Sequence, residues 1–239
     1  MSGPYDVILL AAGSATRFNH QANMNKVLMQ LNDRPVFDYS LRQFLTDAEC
    51  QTVWVVVREA ERSLFEEKCR TLYKEVPDKI RWVTGGDERQ DSVSRALKQL
   101  PERQPEVILV HDAARPFINQ ELVQRLLDGL TDYRAVIPGV KAKDTMKLVS
   151  ESMVDQSLDR STVRHIQTPQ AFRTDCLIKA VKAAEESRFY GNEEGELIER
   201  LGMKVHVIDG LEQNIKITTA LDYVFARFLV EENQLDGVN

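Results

Sequence analysis

The sequence predicts an α/β fold, a mostly parallel sheet with helices on both faces and one extended hairpin arm. Three observations carry the prediction. Short apolar runs, β-branched or leucine-rich, recur along the first 140 residues; amphipathic segments at helical spacing separate them; and the alternation breaks once, between residues 141 and 167. Strands covered by helices on both faces read as near-continuous apolar runs. Strands alternating with helices imply right-handed crossovers and parallel pairing. No Pro/Gly/Ser-rich linker divides the chain, so a single domain over 1–239 is expected, with its arm at about 141–167.

The elements follow in order. The run 7–12 is the first strand, and a helical pattern follows at about 35–45. Strand 53–57 precedes helix 61–73, strand 80–83 precedes helix 92–100, and strand 107–110 precedes helix 120–130. In that last helix Leu122, Leu126, Leu127 and Leu130 share one face. After strand 135–140, the alternation Thr145-Met146-Lys147-Leu148-Val149 reads as an extended arm that is polar on one side. Helices return at 174–185 and 193–201, followed by a short strand at 204–208. Thr219 with Asp222 resembles a capping box opening the final helix. There Leu221, Val224, Phe225, Phe228 and Leu229 form one apolar face.

Composition excludes several classes. Hydrophobic residues make up 43% and charged residues 28%, which fits a globular chain and neither a disordered nor a collagen-like one. The net charge of −6 argues against a nucleic-acid binder while allowing a local basic pocket. Cys50, Cys69 and Cys176 are odd in number and never spaced as C-x-x-C, so neither a disulfide framework nor a zinc knuckle is expected. The longest apolar run, 7–12, is far short of the ~18 residues of a membrane span. With no secretory signal visible, a cytoplasmic protein with reduced thiols is expected.

Ligands of such sheets bind beyond the carboxyl ends of the strands. Four segments there carry chemistry. After the first strand, Ala11, Ala12 and Gly13 lead into a loop with Arg17 and Lys26. Small residues let backbone N–H groups approach a phosphate, and two cations would neutralise a polyanion; an ordinary βα loop with solvated charges fits as well. This is neither a dinucleotide fingerprint, since the next glycine after Gly13 is Gly85, nor a P-loop, since no Gly-Lys pair occurs. That disfavours a nicotinamide-dependent oxidoreductase. His111-Asp112-Ala113-Ala114-Arg115 follows another strand; Asp112 is a candidate Mg²⁺ ligand, or a cap or partner of Arg115. Gly85, Gly86 and Asp87, with Ser92 opening a helix, could hold a base or phosphate, or form a plain turn. Thr145, Arg160 and Lys216 are, taken singly, surface polar residues. No metal-spaced histidines, G-x-S-x-G elbow or Cys/His pair is present, so a covalent hydrolase is not expected.

Taken together, in order, these segments resemble the 2-C-methyl-D-erythritol 4-phosphate cytidylyltransferase family. The landmarks are Ala11-Ala12-Gly13 with Arg17, Asn25-Lys26, Gly85-Gly86-Asp87-Glu88-Arg89 with Ser92, and His111-Asp112-Ala113-Ala114-Arg115-Pro116. Lys143-Asp144-Thr145-Met146-Lys147, Asp159-Arg160, Gln167-Thr168-Pro169-Gln170 and Asn214-Ile215-Lys216-Ile217 complete them. The resemblance implies a Rossmann-like nucleotidyltransferase fold and a homodimer joined through the hairpin arm. It also implies transfer of CMP from CTP to methylerythritol phosphate with Mg²⁺. By motif, Arg17 and Lys26 would stabilise the transition state, while Arg160 and Lys216, helped by Thr145, would position the alcohol phosphate, with Thr145 and Arg160 reaching the partner subunit's site through the arm. Asp112 would lie by ribose and metal, Gly86, Asp87 and Ser92 by cytosine, and Ala11, Ala12, Gly13 and Arg115 in the substrate site. Ala15 replaces a usual glycine, Asn25 a common proline, and the stretch 191–196 departs from the usual Thr-Asp-(Asp/Glu)-Ala-Ser. A ribitol-5-phosphate cytidylyltransferase and a catalytically weak nucleotide-binding interaction protein are the alternatives.

Overall fold

A computed structural model of the chain describes residues 3–13 and 25–232. Strand β1 (Tyr5–Leu10) is followed by the short pair β2 (Gln30–Leu31) and β3 (Arg34–Pro35), then α1 (Val36–Thr46) and β4 (Cys50–Val57). Next come α2 (Arg62–Tyr73), β5 (Ile80–Thr84), α3 (Arg89–Leu97), β6 (Val107–Asp112), α4 (Gln120–Gly129) and β7 (Ala135–Lys141). The hairpin β8 (Lys147–Ser150) and β9 (Met153–Ser157) precedes β10 (Arg164–Ile166) and β11 (Gln170–Arg173). Helices α5 (Thr174–Ser187) and α6 (Glu194–Arg200), strand β12 (His206–Asp209) and helix α7 (Ala220–Glu231) complete the order.

The main sheet runs β10-β7-β11-β6-β1-β4-β5, with β12 beside β7. β1 pairs in parallel with β4 and β6, β4 with β5, and β12 with β7. β11 lies antiparallel between β6 and β7, and β10 is antiparallel to β7. Because strand side chains alternate between faces, the sheet feeds two cores. Val7 and Leu9 of β1 face Phe37 and Leu41 of α1, Phe65 of α2 and Leu122 of α4; Ile8 faces Val93 of α3, Leu177 of α5 and Ile198 of α6. Each fully buried side chain of this kind contributes roughly 1.5–3 kcal/mol.

The predicted α/β class with a mostly parallel sheet is the architecture observed. Several details differ. β1 ends at Leu10, so Ala11 and Ala12 belong to the following loop rather than to the strand. β10 and β11 were not expected, because Pro169 and polar flanks hide a strand whose burial comes from β6 and β7 on either side. In α7 the predicted capping box is present, but of the five apolar residues only Leu229 is buried, together with Ala226; Leu221, Val224, Phe225 and Phe228 are exposed. The apolar arc of α7 is wider than the body surface beneath it. β8 and β9 pair only with each other, and every residue of both is exposed.

Candidate active site

Parallel pairing brings the ends of distant strands to one edge. Leu10 is level with Asp112 and Val56, and Val57 with Thr84, so the loops after β1, β4, β5 and β6 leave the sheet together. The antiparallel β11 adds the segment before Gln170 to that edge, since Gln170 faces Val110. β12, with Asp209 level with Gly139 of β7, adds the stretch leading to Lys216.

At the centre stands Asp112, the last residue of β6. Its Oδ1 accepts from Arg89 Nε at 3.1 Å and its Oδ2 from Lys216 Nζ at 2.7 Å. Arg89 in turn donates Nη1 to Glu194 Oε1 at 2.6 Å. The charges alternate, Glu194⁻, Arg89⁺, Asp112⁻, Lys216⁺. The two ends differ in exposure, 1% for the Glu194 side chain against 37% for Lys216. Burial works to raise the Asp112 carboxyl, but Arg89 and Lys216 outweigh it and hold Asp112 well below the usual carboxylate range. Burial raises the Glu194 carboxyl, with Arg89 opposing. It also works against the Arg89 cation, and Glu194 and Asp112 more than offset that, keeping it firmly protonated.

A buried polar frame supports this centre. His111 Nε2 lies 3.1 Å from the Arg115 carbonyl, which can only accept, so Nε2 carries the proton. His111 Nδ1 then accepts from the Thr168 hydroxyl at 2.9 Å, and that hydroxyl accepts from Asp112 N–H. Burial pushes His111 down to about 3, so the ring is neutral. Asn214 Nδ2 donates to the Thr168 carbonyl, and Gln167 Nε2 to the carbonyls of Leu211 and Asn214. Arg115 gives Nη1 to the Asn214 carbonyl and Nη2 to the Ile166 carbonyl, so it ties the Lys216 segment to β10 and β6.

The nucleotide-loop candidates lie beside this cluster. A Cβ on Gly85 would come 2.7 Å from Ala12 Cβ, and one on Gly86 would overlap Asp91 Cβ. Only glycine allows the turn after β5 to close against both the first loop and α3. Gly86 N–H donates to Ser92 Oγ, which donates to the Glu88 carbonyl, so Ser92 sits inside α3 rather than opening it. Asp87 and Gly13 are exposed, Ala12 half-buried and Ala11 buried. Lys26 opens a 3-10 turn (Lys26–Leu28) and is half-buried. The preceding Asn25 is buried; its Nδ2 donates to the Ala11 carbonyl at 2.7 Å and to Glu61 Oε2 at 2.9 Å, and its Oδ1 accepts from Val27 N–H. Lys26 is thereby tied to the end of β1. Arg17 and Ala15 lie outside the described residues.

Thr145 and Arg160 are exposed, and Arg160 donates to the Lys143 carbonyl rather than to the Asp112 cluster. The structure thus brings Asp112 and Lys216 together beside the glycine turn and adds Arg89, Glu194, Thr168 and Asn214, to which the sequence reading gave no role. Arg89 stands within the landmark after β5, and its alternation with the acids Glu194 and Asp112 exists only in space.

The donor set does not fit a resident divalent ion. Both Asp112 oxygens are engaged by cations, and among the described residues no three His, Cys, Asp or Glu side chains gather to hold a metal. Cations and glycine-turn amides, with no activated nucleophile among the described residues, suit transfer between phosphates, in which positioning and charge stabilisation dominate. Fold and site together define an α/β nucleotidyltransferase.

The comparisons narrow the class. A family profile described as 2-C-methyl-D-erythritol 4-phosphate cytidylyltransferase matches residues 6–232. The protein of that name from Lysinibacillus sphaericus is 38% identical over 97% of each chain. The one from Geobacillus kaustophilus is 38% identical over 95% of this chain and 96% of its own. Among solved structures, the 4-diphosphocytidyl-2C-methyl-D-erythritol synthase of Anaerococcus prevotii superposes with a TM-score of 0.84 at 29% identity, covering 96% of this chain and 97% of that one. The Francisella tularensis cytidylyltransferase superposes with a TM-score of 0.79 at 28% identity, covering 95% and 99%. The chain belongs to the 2-C-methyl-D-erythritol 4-phosphate cytidylyltransferase family and is a nucleotidyltransferase enzyme. No helix among the described residues is long and apolar enough to cross a membrane.

Proposed function

We propose that this chain transfers the CMP moiety of CTP to 2-C-methyl-D-erythritol 4-phosphate, the reaction for which its family is named. A phosphate oxygen of the alcohol phosphate attacks the α-phosphorus of CTP. The bond from that phosphorus to the bridging oxygen breaks, and pyrophosphate leaves. The single observation that best supports this is the Asp112 cluster, whose half-open end presents Lys216 at the sheet edge shared with the glycine turn. The attacking oxygen is already anionic near neutral pH, so no general base is needed. His111 accordingly serves as a buried neutral linker, not as a base.

The roles follow the chemistry. Arg17 and Lys26 stabilise charge developing around the α-phosphate. Lys216, with the partner subunit's Arg160 and the partner subunit's Thr145 brought in by the hairpin arm, receives the alcohol phosphate. Gly86, Asp87 and Ser92 hold cytosine, and Ala11, Ala12 and Gly13 bring backbone amides to the triphosphate. Arg115 acts on the substrates indirectly, through the Lys216 segment. Mg²⁺ arrives with CTP as the counter-ion of its phosphates; Asp112 serves as the anchor of Lys216. A homodimer joined through the β8–β9 hairpin would cover Leu148, Val149, Met153 and Val154, all exposed in one chain.

The test is pyrophosphate release with CTP and Mg²⁺, offering methylerythritol phosphate and ribitol 5-phosphate in parallel. Turnover with the first is expected. Turnover with ribitol 5-phosphate alone would move the chain to another alcohol, and CTP binding without release of pyrophosphate from either would make it a nucleotide-binding protein.

A further inference from the structure

We propose that Glu194 is a positioning residue that acts through Arg89 and Asp112 to place the Lys216 ammonium at the substrate edge. The proposal deepens the functional reading above and rests on its placement of Lys216 against substrate. Glu193 caps α6 by accepting from the backbone N–H groups of Gly195 and Glu196, which puts Glu194 at the first position of that helix. The Glu194 side chain is 1% exposed and among the described residues its one hydrogen-bonded partner is Arg89; its Oε2 and Arg89 Nη2 are both buried and find no hydrogen-bond partner among those residues. A buried ion pair left incompletely satisfied in this way is a poor source of stability. What it does provide is geometry.

A guanidinium next to a carboxylate prefers a two-pronged fork that takes both oxygens. Here Arg89 gives Asp112 only Nε: Nη2, the nitrogen that would complete a fork with Nε, makes no hydrogen bond among the described residues, while Nη1 is held by Glu194 and fixes the plane of the guanidinium. Asp112 Oδ2 is therefore left for Lys216 Nζ, 2.7 Å away. Removing the Glu194 charge frees Arg89 to turn its fork onto Asp112 and compete for Oδ2. Lys216 is then released from its anchor. Arg89 and Glu194 come from different loop–helix junctions, so α6 reports to the substrate edge through side chains alone.

Two readouts test this. The first needs no substrate: acetylation of Lys216 by an N-hydroxysuccinimide ester, followed by mass spectrometry with the other lysines as internal references. Glu194→Gln should raise Lys216 labelling by about threefold or more, because the ammonium loses its fixed partner. Unchanged labelling in folded Glu194→Gln would overturn the proposal, whatever the enzyme's substrate. The second is a kinetic cycle. Glu194→Gln should lower kcat/KM for the alcohol phosphate by about tenfold, the scale of a displaced positioning group. Its KM for CTP should move by less than about threefold. In the Lys216→Gln background the same change should cost less than about threefold, since coupled sites are not additive. Additive losses would make Glu194 merely structural and overturn the proposal. Full activity in Lys216→Gln with raised labelling in Glu194→Gln would uphold the relay while refuting Lys216 as a substrate contact. Should Glu194→Gln fail to fold, Glu194→Asp carries both readouts. Its shorter carboxylate keeps the charge that holds Arg89 off Asp112 Oδ2, so labelling should stay at the wild-type level, and a rise of about threefold or more there would overturn the proposal.

Discussion

Replacing Asn25 by alanine isolates one buried side chain that joins three pieces of the site. Asn25 is 1% exposed and bonds the Ala11 carbonyl, the Glu61 carboxylate and Val27 N–H. Truncation takes the donor from the buried Ala11 carbonyl, a loss of ~1–3 kcal/mol. It removes a cap from the turn carrying Lys26, about 1 kcal/mol. Glu61 keeps Arg58 as a partner, so its share is small. The total is roughly 3 kcal/mol, and at ~2–4 °C per kcal/mol for a chain of this size Tm should fall by about 6–12 °C. Calorimetry, with turnover measured below the transition, checks it; turnover should fall as well, because Lys26 follows Asn25 directly. Asn25→Asp sharpens the test. It keeps the capping oxygen but loses the amide donor and sets a second carboxylate against Glu61, so it should be at least as unstable as Asn25→Ala. An Asn25→Ala shift below about 2 °C, or an aspartate variant more stable than the alanine one, would refute the assignment of Asn25 as the tie between Lys26 and β1.

Lys26→Ala should lower kcat by ~10² or more with the fold intact, as for other lost charge stabilisers; near-wild-type steady-state turnover would remove Lys26 from the mechanism. Arg160→Ala should raise KM for the alcohol phosphate well above any change for CTP, and equal rises in both would argue against its substrate role. His111 is neutral when folded, with its pKa depressed to about 3. Its stabilisation is therefore fully present above the unfolded value near 6.5 and is lost as pH falls towards 3, amounting to about 2 kcal/mol by pH 5. Denaturant titrations at pH 7.5 and pH 5 should show that His111→Gln loses less stability than the wild type between them; equal losses would contradict the buried neutral ring. Met153→Asp on the hairpin should shift the mass measured by light scattering from dimer to monomer, and a dimer of unchanged strength would place the subunit contact elsewhere.

The sequence by itself determined the elements whose burial is dictated locally. The cores of β1, β4, β5, β6 and β7 are β-branched or leucine-rich runs that only a sheet covered on both faces can bury. The capping box of α7 lies within four residues, so it too could be read directly. The landmarks around Gly85 and Asp112 were legible because each follows such a strand, and ligand-binding loops of parallel sheets gather at the strands' carboxyl ends; Lys216 was legible only through the family resemblance.

Tertiary structure decided what depends on partners far apart in the chain. Whether Gln170-Ala171-Phe172 is a strand depends on the edges that β6 and β7 offer, not on its own pattern. The apolar residues of α7 have ideal helical spacing, yet their burial depends on how much surface lies beneath the helix, and there it covers only Ala226 and Leu229. Asp112 read from its position alone was a candidate metal ligand; the fold instead sets Arg89 and Lys216 against its two oxygens. Glu194 meets Arg89 across a separation of 105 residues. Hydrophobic periodicity is a local signal that survives in one dimension, whereas charge complementarity between loops comes into being only when the sheet brings their ends to a common edge.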